Sequence, residues 1–185
     1  MGLLSTHEAI VWWEFQQGKP TGEIASEYEK EQKYPKYVRQ ILEEKEEATV
    51  SFKDVAYVSR VLNRARKKIK KALEDQGKSH RLDIESVQDY KGLLMGFDYQ
   101  ANAQVYIVFT MQLGNVVWYK HDSYAGKLCP DCPKESECRE TLDVIIKEYN
   151  IELRPDQKQL PMTQQSIAIF TKLAAKENPR YKRST

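Results

Sequence analysis

The sequence predicts an α+β protein, in which an N-terminal helical domain precedes a small antiparallel sheet domain with helices. Two observations predict this class. Up to His80, apolar residues recur every three or four positions, which is typical of amphipathic helices. Beyond His80 the chain changes to short runs rich in Val, Ile, Tyr and Phe, which are typical of strands. We therefore place a boundary after Gly77, giving domains of residues 1–77 and 78–185.

The N-terminal domain begins with three short predicted helices. Ser5 and Glu8 have the spacing of a capping box, and Gly18 marks the end of the first helix. A second helix follows from Thr21, whose hydroxyl is a candidate cap, and a third follows the break at Pro35. At least one of the adjacent tryptophans in the first helix is expected in the core.

The most regular helical pattern begins after Lys53 and Asp54 and is expected to end at Gly77. Its apolar stripe comprises Val58, Leu62, Ala65, Ile69 and Leu73. Its second half is rich in basic residues, namely Arg64, Arg66, Lys67, Lys68, Lys70 and Lys71. Bases at this end also complement the helix dipole, so a charged face in contact with water alone is the plain alternative to an anion-binding surface.

Four strand-length runs after His80 predict an antiparallel meander. They read RLDIESVQ, KGLLMGFDYQ, AQVYIVFTMQ and NVVWYKHD, and short segments carrying Gly, Asn or Asp separate them. The tighter turns are expected at residues 101–103 and 114–115. The segment CRETLDVIIKEYNI predicts a helix, and a last helix is expected near residues 162–176.

The overall charge is too small to indicate a partner. The chain has 29 Lys and Arg against 27 Asp and Glu, a formal net charge of +2. The charges are nevertheless separated along the sequence, with glutamates concentrated at residues 43–47 and bases at residues 64–71. The N-terminal residues contain neither a basic leader nor an apolar run of signal-peptide length, so we expect a cytoplasmic location.

The cysteine-rich segment is a candidate metal site. Cys129 and Cys132 are separated by two residues, Cys138 follows, and His121 precedes them, which together fit a tetrahedral zinc site. The cysteine spacing also resembles the closing part of iron–sulfur motifs in some DNA-processing proteins, whose fourth cysteine this chain lacks. Free thiols, or one disulfide with a spare cysteine, are the alternative without a metal.

Two segments, GKPTGEIASEY and AYVSRVLNRARKKIKKALED, resemble the helix-turn-helix of region four of bacterial sigma factors and of archaeal transcriptional regulators that share it. The resemblance covers roughly the first 76 residues. It implies that Glu23, Ile24 and Ala25 lie on the supporting helix. Lys19 and Thr21 would then stand at the N-terminus of that helix, where free N–H groups favour a phosphate and simple capping is the alternative.

The same resemblance implies that the helix beginning near Tyr57 is the recognition helix. Arg60 and Asn63 are expected to contact bases, as Arg and Asn commonly do in the major groove. The other candidate DNA-contacting residues on this helix are Tyr57, Ser59, Arg64, Arg66, Lys67 and Lys68, with Lys70 and Lys71 continuing the basic run.

The chain departs from the family between these two helices. Family members join them by a turn of about three or four residues, whereas residues 29–52 lie between them here. Either this segment is an insertion, or a helix over residues 36–47 is the true third helix and the long helix is a dimerisation or linker element. We favour the insertion, because the glutamates that end that helix would repel phosphate.

The sequence therefore predicts a sequence-specific transcriptional regulator of archaeal type, with double-stranded DNA as partner and a homodimer as a candidate assembly. The second domain would be accessory, for sensing, metal binding or dimerisation. A protein-interaction module of the transcription machinery is the alternative. We expect no enzyme, since the chain has neither a nucleophile elbow nor a Gly-rich phosphate loop after a strand. A metal-dependent nucleic-acid-processing enzyme is a weaker alternative, resting on Asp83, Glu85, Asp89 and Asp98.

Overall fold

The computed structural model of the chain describes residues 2–44, 47–84, 91–121 and 126–177. Helices and an antiparallel sheet confirm the α+β class. The chain divides into two compact units, Met1–Ile69 and Lys70–Thr185, and the division falls inside the longest helix, earlier than the boundary predicted after Gly77. Of the helices in the described ranges, none has the length and apolar character that crossing a membrane requires.

The first unit is mainly helical. Its elements, in chain order, are α1 (Thr6–Gln16), α2 (Thr21–Glu27), β1 (Gln32–Lys33), α3 (Lys36–Ile41), β2 (Thr49–Val50) and the first part of α4 (Val55–Ser79). Helix α1 starts with the predicted capping box between Ser5 and Glu8. The predicted cap at Thr21 is wrong, because Pro20 holds the capping position of α2 and Thr21 is already its first helical residue.

The core of the first unit lies between α1 and the apolar stripe of α4. Ala9, Ile10, Val11 and Trp12 are buried along α1. The α4 residues that point inward are also fully or almost fully buried, namely Val58, Val61, Leu62, Ala65 and Ile69. The expectation that at least one tryptophan enters the core is confirmed by Trp12, and this burial fixes which face of α4 is left to water.

Helix α3 is shorter than predicted. The sequence suggested a helix over residues 36–47, but α3 ends at Ile41, and Glu43 has a left-handed backbone with φ of 55°. Buried Tyr37 and Val38 attach this short helix to the unit, and the ring of Tyr37 stacks on Trp13 at 4.5 Å. The glutamates that were expected at the end of the predicted third helix therefore lie outside any helix where the structure describes them.

The segment between α2 and α4 leaves and returns at one place. Strands β1 and β2 pair antiparallel, with Gln32 opposite Val50. Beyond this pair, the Phe52 N–H donates to the Tyr28 carbonyl at 2.8 Å, and the two rings lie 5.0 Å apart. The end of α2 and the approach to α4 are thus joined directly, and residues 29–51 form an excursion between them.

The second unit contains the predicted meander. Its sheet order is β3-β4-β5-β6 with every pair antiparallel, which confirms the expected topology. The strands are β3 (Asp83–Ile84), β4 (Leu93–Asp98), β5 (Ala103–Thr110) and β6 (Gly114–Tyr119). A 3₁₀ turn (Cys129–Asp131), α5 (Glu135–Glu148), α6 (Pro155–Lys158) and α7 (Met162–Glu177) follow. Phe170 of α7 stacks on Tyr106 of β5 at 4.4 Å, so helix and sheet share one core.

Gly77 does not end α4, contrary to the sequence-based expectation. The helix continues to Ser79, and Arg81 then takes the left-handed conformation with φ of 55°. A Cβ at Gly77 would lie 3.0 Å from the Ile84 side chain. The glycine therefore permits close packing of the helix against β3 rather than termination.

Candidate functional site

The polar face of α4 carries the residues that were predicted to contact DNA bases. Arg60, Asn63 and Lys67 are exposed and recur at intervals of three and four residues, so they share one side of the helix. We call these three residues the exposed face of α4. The buried stripe through Val58, Leu62 and Ala65 lies on the opposite side. The structure therefore leaves the predicted base-contacting residues accessible.

The bases beside the exposed face are held by a carboxylate of α1. Glu8 is only 3 % exposed, and its Oε2 lies 2.6 Å from Lys68 Nζ while its Oε1 lies 3.8 Å from Arg64 Nε. Burial raises the pKa of the Glu8 carboxyl, but hydrogen bonds from Lys68 and Ser5 and the Lys68 charge outweigh it and leave that pKa below its ordinary value. Glu8 is thus an ionised anchor for two bases of α4.

Tyr57 belongs to an aromatic cluster at the start of α4. Its hydroxyl and His7 Nδ1 are 2.7 Å apart, and its ring lies 6.1 Å from that of Phe52. The Asp54 carboxylate caps the helix by accepting from the Tyr57 N–H at 2.6 Å. Tyr57 and Ser59 are half-buried. Tyr57 therefore already has a structural role within the unit, at the first turn of α4.

Arg66 is also engaged within the unit. It is half-buried, and its guanidinium carbon lies 4.8 Å from the centroid of the Phe15 ring of α1, which is a cation–π contact. The predicted DNA-contacting residues of α4 thus fall into two groups. Arg60, Asn63 and Lys67 face water, whereas Tyr57, Arg64, Arg66 and Lys68 contact α1 residues; half-buried Ser59 belongs to neither group.

Lys19 has two carboxylate partners before α2. Its ammonium lies 2.8 Å from Glu14 and 2.6 Å from Glu27. Burial lowers the pKa of Lys19. Hydrogen bonds to both glutamates and their negative charges raise it by more, so the pKa of Lys19 lies above its ordinary value. The buried Tyr28 hydroxyl donates to the same Glu14 at 2.7 Å. The Lys19 charge is thus already used within the unit, and Thr21 is half-buried.

Lys70 and Lys71 continue the basic run beyond the first unit. Lys71 pairs with Asp75 at 2.6 Å and Lys70 with Glu74 at 4.0 Å, each one helical turn further on. Exposed pairs of this kind contribute little to stability. They do, however, offset the positive charge of this end of α4.

The candidate metal ligands meet in one cavity of the second unit. His121 follows β6, Cys129 and Cys132 lie in and after the 3₁₀ turn, and Cys138 lies in the first turn of α5. The cavity has a volume of about 20 Å³ and is completed by Trp118, Glu135, Met162 and Thr163. The three cysteines are half-buried free thiols. Burial, together with the nearby Cys132, raises the pKa of the Cys138 thiol.

This cavity is not a preformed metal centre. Across the described residues, no group of three or more His, Cys, Asp or Glu side chains stands ready to hold a metal ion. The weak Cys129 to Thr163 contact has a sulfur-to-oxygen distance of 3.9 Å. The fold therefore collects the four predicted ligands without arranging them in coordination geometry.

The carboxylates that suggested an enzyme have structural partners. Asp98 accepts the N–H groups of Gln100 and Ala101 at 2.9 and 3.0 Å in the β4–β5 turn, and it also accepts the Tyr119 hydroxyl. Asp83 accepts the Tyr99 hydroxyl at 3.0 Å. Glu85 and Asp89 lie outside the described residues. The two described carboxylates are explained by turn formation and strand pairing.

Sequence reasoning missed the role of Glu8 and the partner of His7. Glu8 was recognisable as part of a capping box, but its partner Lys68 lies sixty positions further along the chain. His7 contacts Tyr57 fifty positions away. Tyr57 and Lys68 lie eleven positions, about three helical turns, apart on α4, and this spacing is too general to name partners.

Comparisons of the chain with protein-family models, with curated proteins and with solved structures found no match. The resemblance to helix-turn-helix regulators therefore stays a prediction from sequence.

Proposed function

We propose that the chain is a sequence-specific transcriptional regulator that binds double-stranded DNA with α4 in the major groove and α2 as the supporting helix. The observation that carries the proposal is the exposed face of α4. Arginine pairs with two acceptors of guanine and asparagine with adenine, while a lysine beside them neutralises a phosphate. Arg60, Asn63 and Lys67 provide this set on one helix side, and no ion-pair partner is found for Arg60 or Lys67 within the described ranges.

The closed excursion supports α4 as the recognition helix. Helix-turn-helix pairs are joined by a few residues, and the hydrogen bond from Phe52 to Tyr28 restores such a connection despite residues 29–51. From Phe52 the chain needs only Lys53 and Asp54 to reach α4. An insertion in the turn would have this geometry.

Helix α3 is less suited to the role. It has six residues, and Tyr37 and Val38 use its inner side for packing. Its exposed polar residues are Lys36 and Gln40, which offer a shorter contact surface than α4. The two helices can be separated by substitution, because each has an exposed residue suited to base contact.

The basic side chains that pair with Glu8 still contribute to the proposed surface. The side chains of Arg64 and Lys68 keep relative exposures of 57 % and 45 % although both approach Glu8. A phosphate can therefore approach them from the solvent side while Glu8 restricts their orientation. Held side chains lose less conformational freedom on binding, and this favours a fixed docking angle of α4.

The test is a selection from random duplexes with the full chain, followed by affinity measurements over a range of salt concentrations. Regulator function predicts an enriched motif and a steep loss of affinity with salt, since each neutralised phosphate releases counterions. Arg60→Ala is expected to erase part of the motif, whereas Gln40→Ala should leave it intact.

Three results would count against the proposal in different ways. Loss of the motif in Gln40→Ala but not Arg60→Ala would assign recognition to α3. Affinity without an enriched motif would leave only a general DNA binder. Absence of salt-dependent DNA affinity would favour a protein-interaction module.

A further inference from the structure

The cavity lined by the three cysteines takes no part in the proposed contact with DNA. We propose that Cys129, Cys132 and Cys138, with His121, bind a single zinc ion. All four side chains line one cavity although they come from the end of β6, the 3₁₀ turn and α5. Thiolates and imidazole are the donors that zinc prefers in structural sites, and three sulfurs with one nitrogen complete its tetrahedron.

The number of thiols favours one ion over a cluster. As the side chains stand, the cavity has room for about one water-sized sphere, about 20 Å³, which is enough for a single ion. Three cysteines are also one short of the usual set for an iron–sulfur cluster.

Local backbone structure brings the three cysteines to one cavity. The Cys132 N–H donates to the Cys129 carbonyl at 3.2 Å, which closes the turn between the two residues. The Cys132 carbonyl in turn accepts from the Glu135 N–H at 3.1 Å as α5 begins. Cys138 then lies one turn into α5. This is a tight knuckle followed by a helix, an arrangement that directs all three thiols into the cavity.

Ion binding must complete a geometry that the described side chains do not yet have. The backbone already places all four groups at one cavity. On binding, three thiols and a neutral imidazole take up Zn²⁺, form three Zn–S bonds and one Zn–N bond, and release three protons. The site then carries one net negative charge.

His121 is the better fourth ligand, although Glu135 also lines the cavity. An imidazole nitrogen matches a thiolate-rich site more closely than a carboxylate oxygen does. Removing either residue distinguishes the two. Loss of a residue that binds the metal directly should lower the affinity for zinc at least as much as loss of a hydrogen bond to a ligand does, which is roughly tenfold.

The experiment uses the full reduced chain, stripped of metal with a chelator and titrated with Co²⁺ and then Zn²⁺. We expect one equivalent of Co²⁺ to give the absorption of a tetrahedral thiolate complex, and Zn²⁺ to displace it. Cys132→Ser should abolish this spectrum and His121→Gln should weaken binding about tenfold or more. His80→Gln, which lies outside the cavity, is the matched control and should bind normally.

A second readout needs no variant. Excess Zn²⁺ should protect all three cysteines from a thiol-modifying reagent, since bound thiolates react slowly. Full reactivity in excess Zn²⁺ would overturn the proposal, as would cobalt binding unchanged in a variant with all three cysteines replaced by serine. An iron–sulfur absorption band in protein purified without oxygen would overturn the single-ion assignment. None of these measurements involves DNA, so they succeed or fail independently of the proposed function.

Discussion

Two neighbouring lysines on α4 show how differently equal charges can be used. Lys67 lies on the exposed face, and the structure assigns it no ion-pair partner in the described ranges. Lys68 donates to the buried Glu8 at 2.6 Å. A basic run in a sequence therefore does not define a binding surface by itself. Only the residues whose charge is not used inside the fold are fully available to a polyanion.

The largest expected effect concerns base recognition by the exposed face. Asn63→Ala should lower affinity for the selected motif by about 1 to 3 kcal/mol and relax the preference at one adenine position, while Arg60→Ala should do the same at a guanine. Affinities for the motif and for scrambled duplexes at one salt concentration provide the measurement. Equal losses on both duplexes would remove these residues from base recognition.

The two lysines can be separated by stability and by salt dependence. Lys68→Ala removes the main partner of a buried carboxylate, so it should lower the free energy of unfolding by about 1 kcal/mol. Lys67→Ala should leave stability unchanged and reduce the slope of log affinity against log salt by about one. Chemical denaturation and a salt titration measure the two quantities. If the lysines exchanged these behaviours, the assignment of Lys67 to the exposed face and of Lys68 to the contact with α1 would be wrong.

The carboxylate itself provides a smaller and complementary test. Glu8→Gln keeps the shape of the side chain but removes the charge, and we expect a loss of roughly 0.5 to 1 kcal/mol in unfolding free energy. The matched control is Glu47→Gln, because Glu47 pairs with Lys33 at 2.7 Å while both side chains are exposed. The control should leave the free energy of unfolding unchanged within experimental error, because solvent screens an exposed pair. Comparable losses in the two variants would show that burial of Glu8 adds nothing.

The smallest expected effect is the pH dependence of this pairing. The folded pKa of Glu8 lies below its ordinary value of 4.5, so its contribution is fully present above that value and is lost as pH falls through the folded pKa. The stability difference between wild type and Glu8→Gln should therefore shrink between about pH 7 and about pH 3. Denaturation curves at both pH values measure it. A difference that grows toward acid would reverse the assigned direction of the shift.

Much of the fold follows from local patterns, and the exceptions have physical reasons. The stripe of α4 and the strand alternation depend on side chains burying one face of a regular element, so periodicity was sufficient to place them. Gly77 was misjudged because a glycine that ends a helix and one that permits close packing look alike in sequence. Helix α3 was predicted too long because favourable helix formers continued past Ile41, whereas Glu43 turns the backbone away.

The candidate sites were only partly predictable for a different reason. Sequence spacing suggested Arg60 and Asn63 correctly as exposed positions, since the opposite helix face was plainly apolar. It could not reveal that Glu8 would reach Lys68, because that contact depends on how α1 packs across α4. The cysteine segment likewise indicated ligands, and the fold supplied the common cavity. Long-range packing decides which charged or nucleophilic side chains remain available to bind a partner or a ligand.

The closure between Tyr28 and Phe52 has a consequence for variation in this protein. The chain departs and rejoins at one hydrogen-bonded connection, and buried Tyr37 and Val38 hold α3 to the unit. A change of length confined to residues 42–48, none of whose described residues is buried, therefore adds only a slowly growing entropic cost. That segment is thus a natural place for evolution or engineering to lengthen, shorten or exchange a module. The helices flanking it can keep their register while a new surface is attached between them.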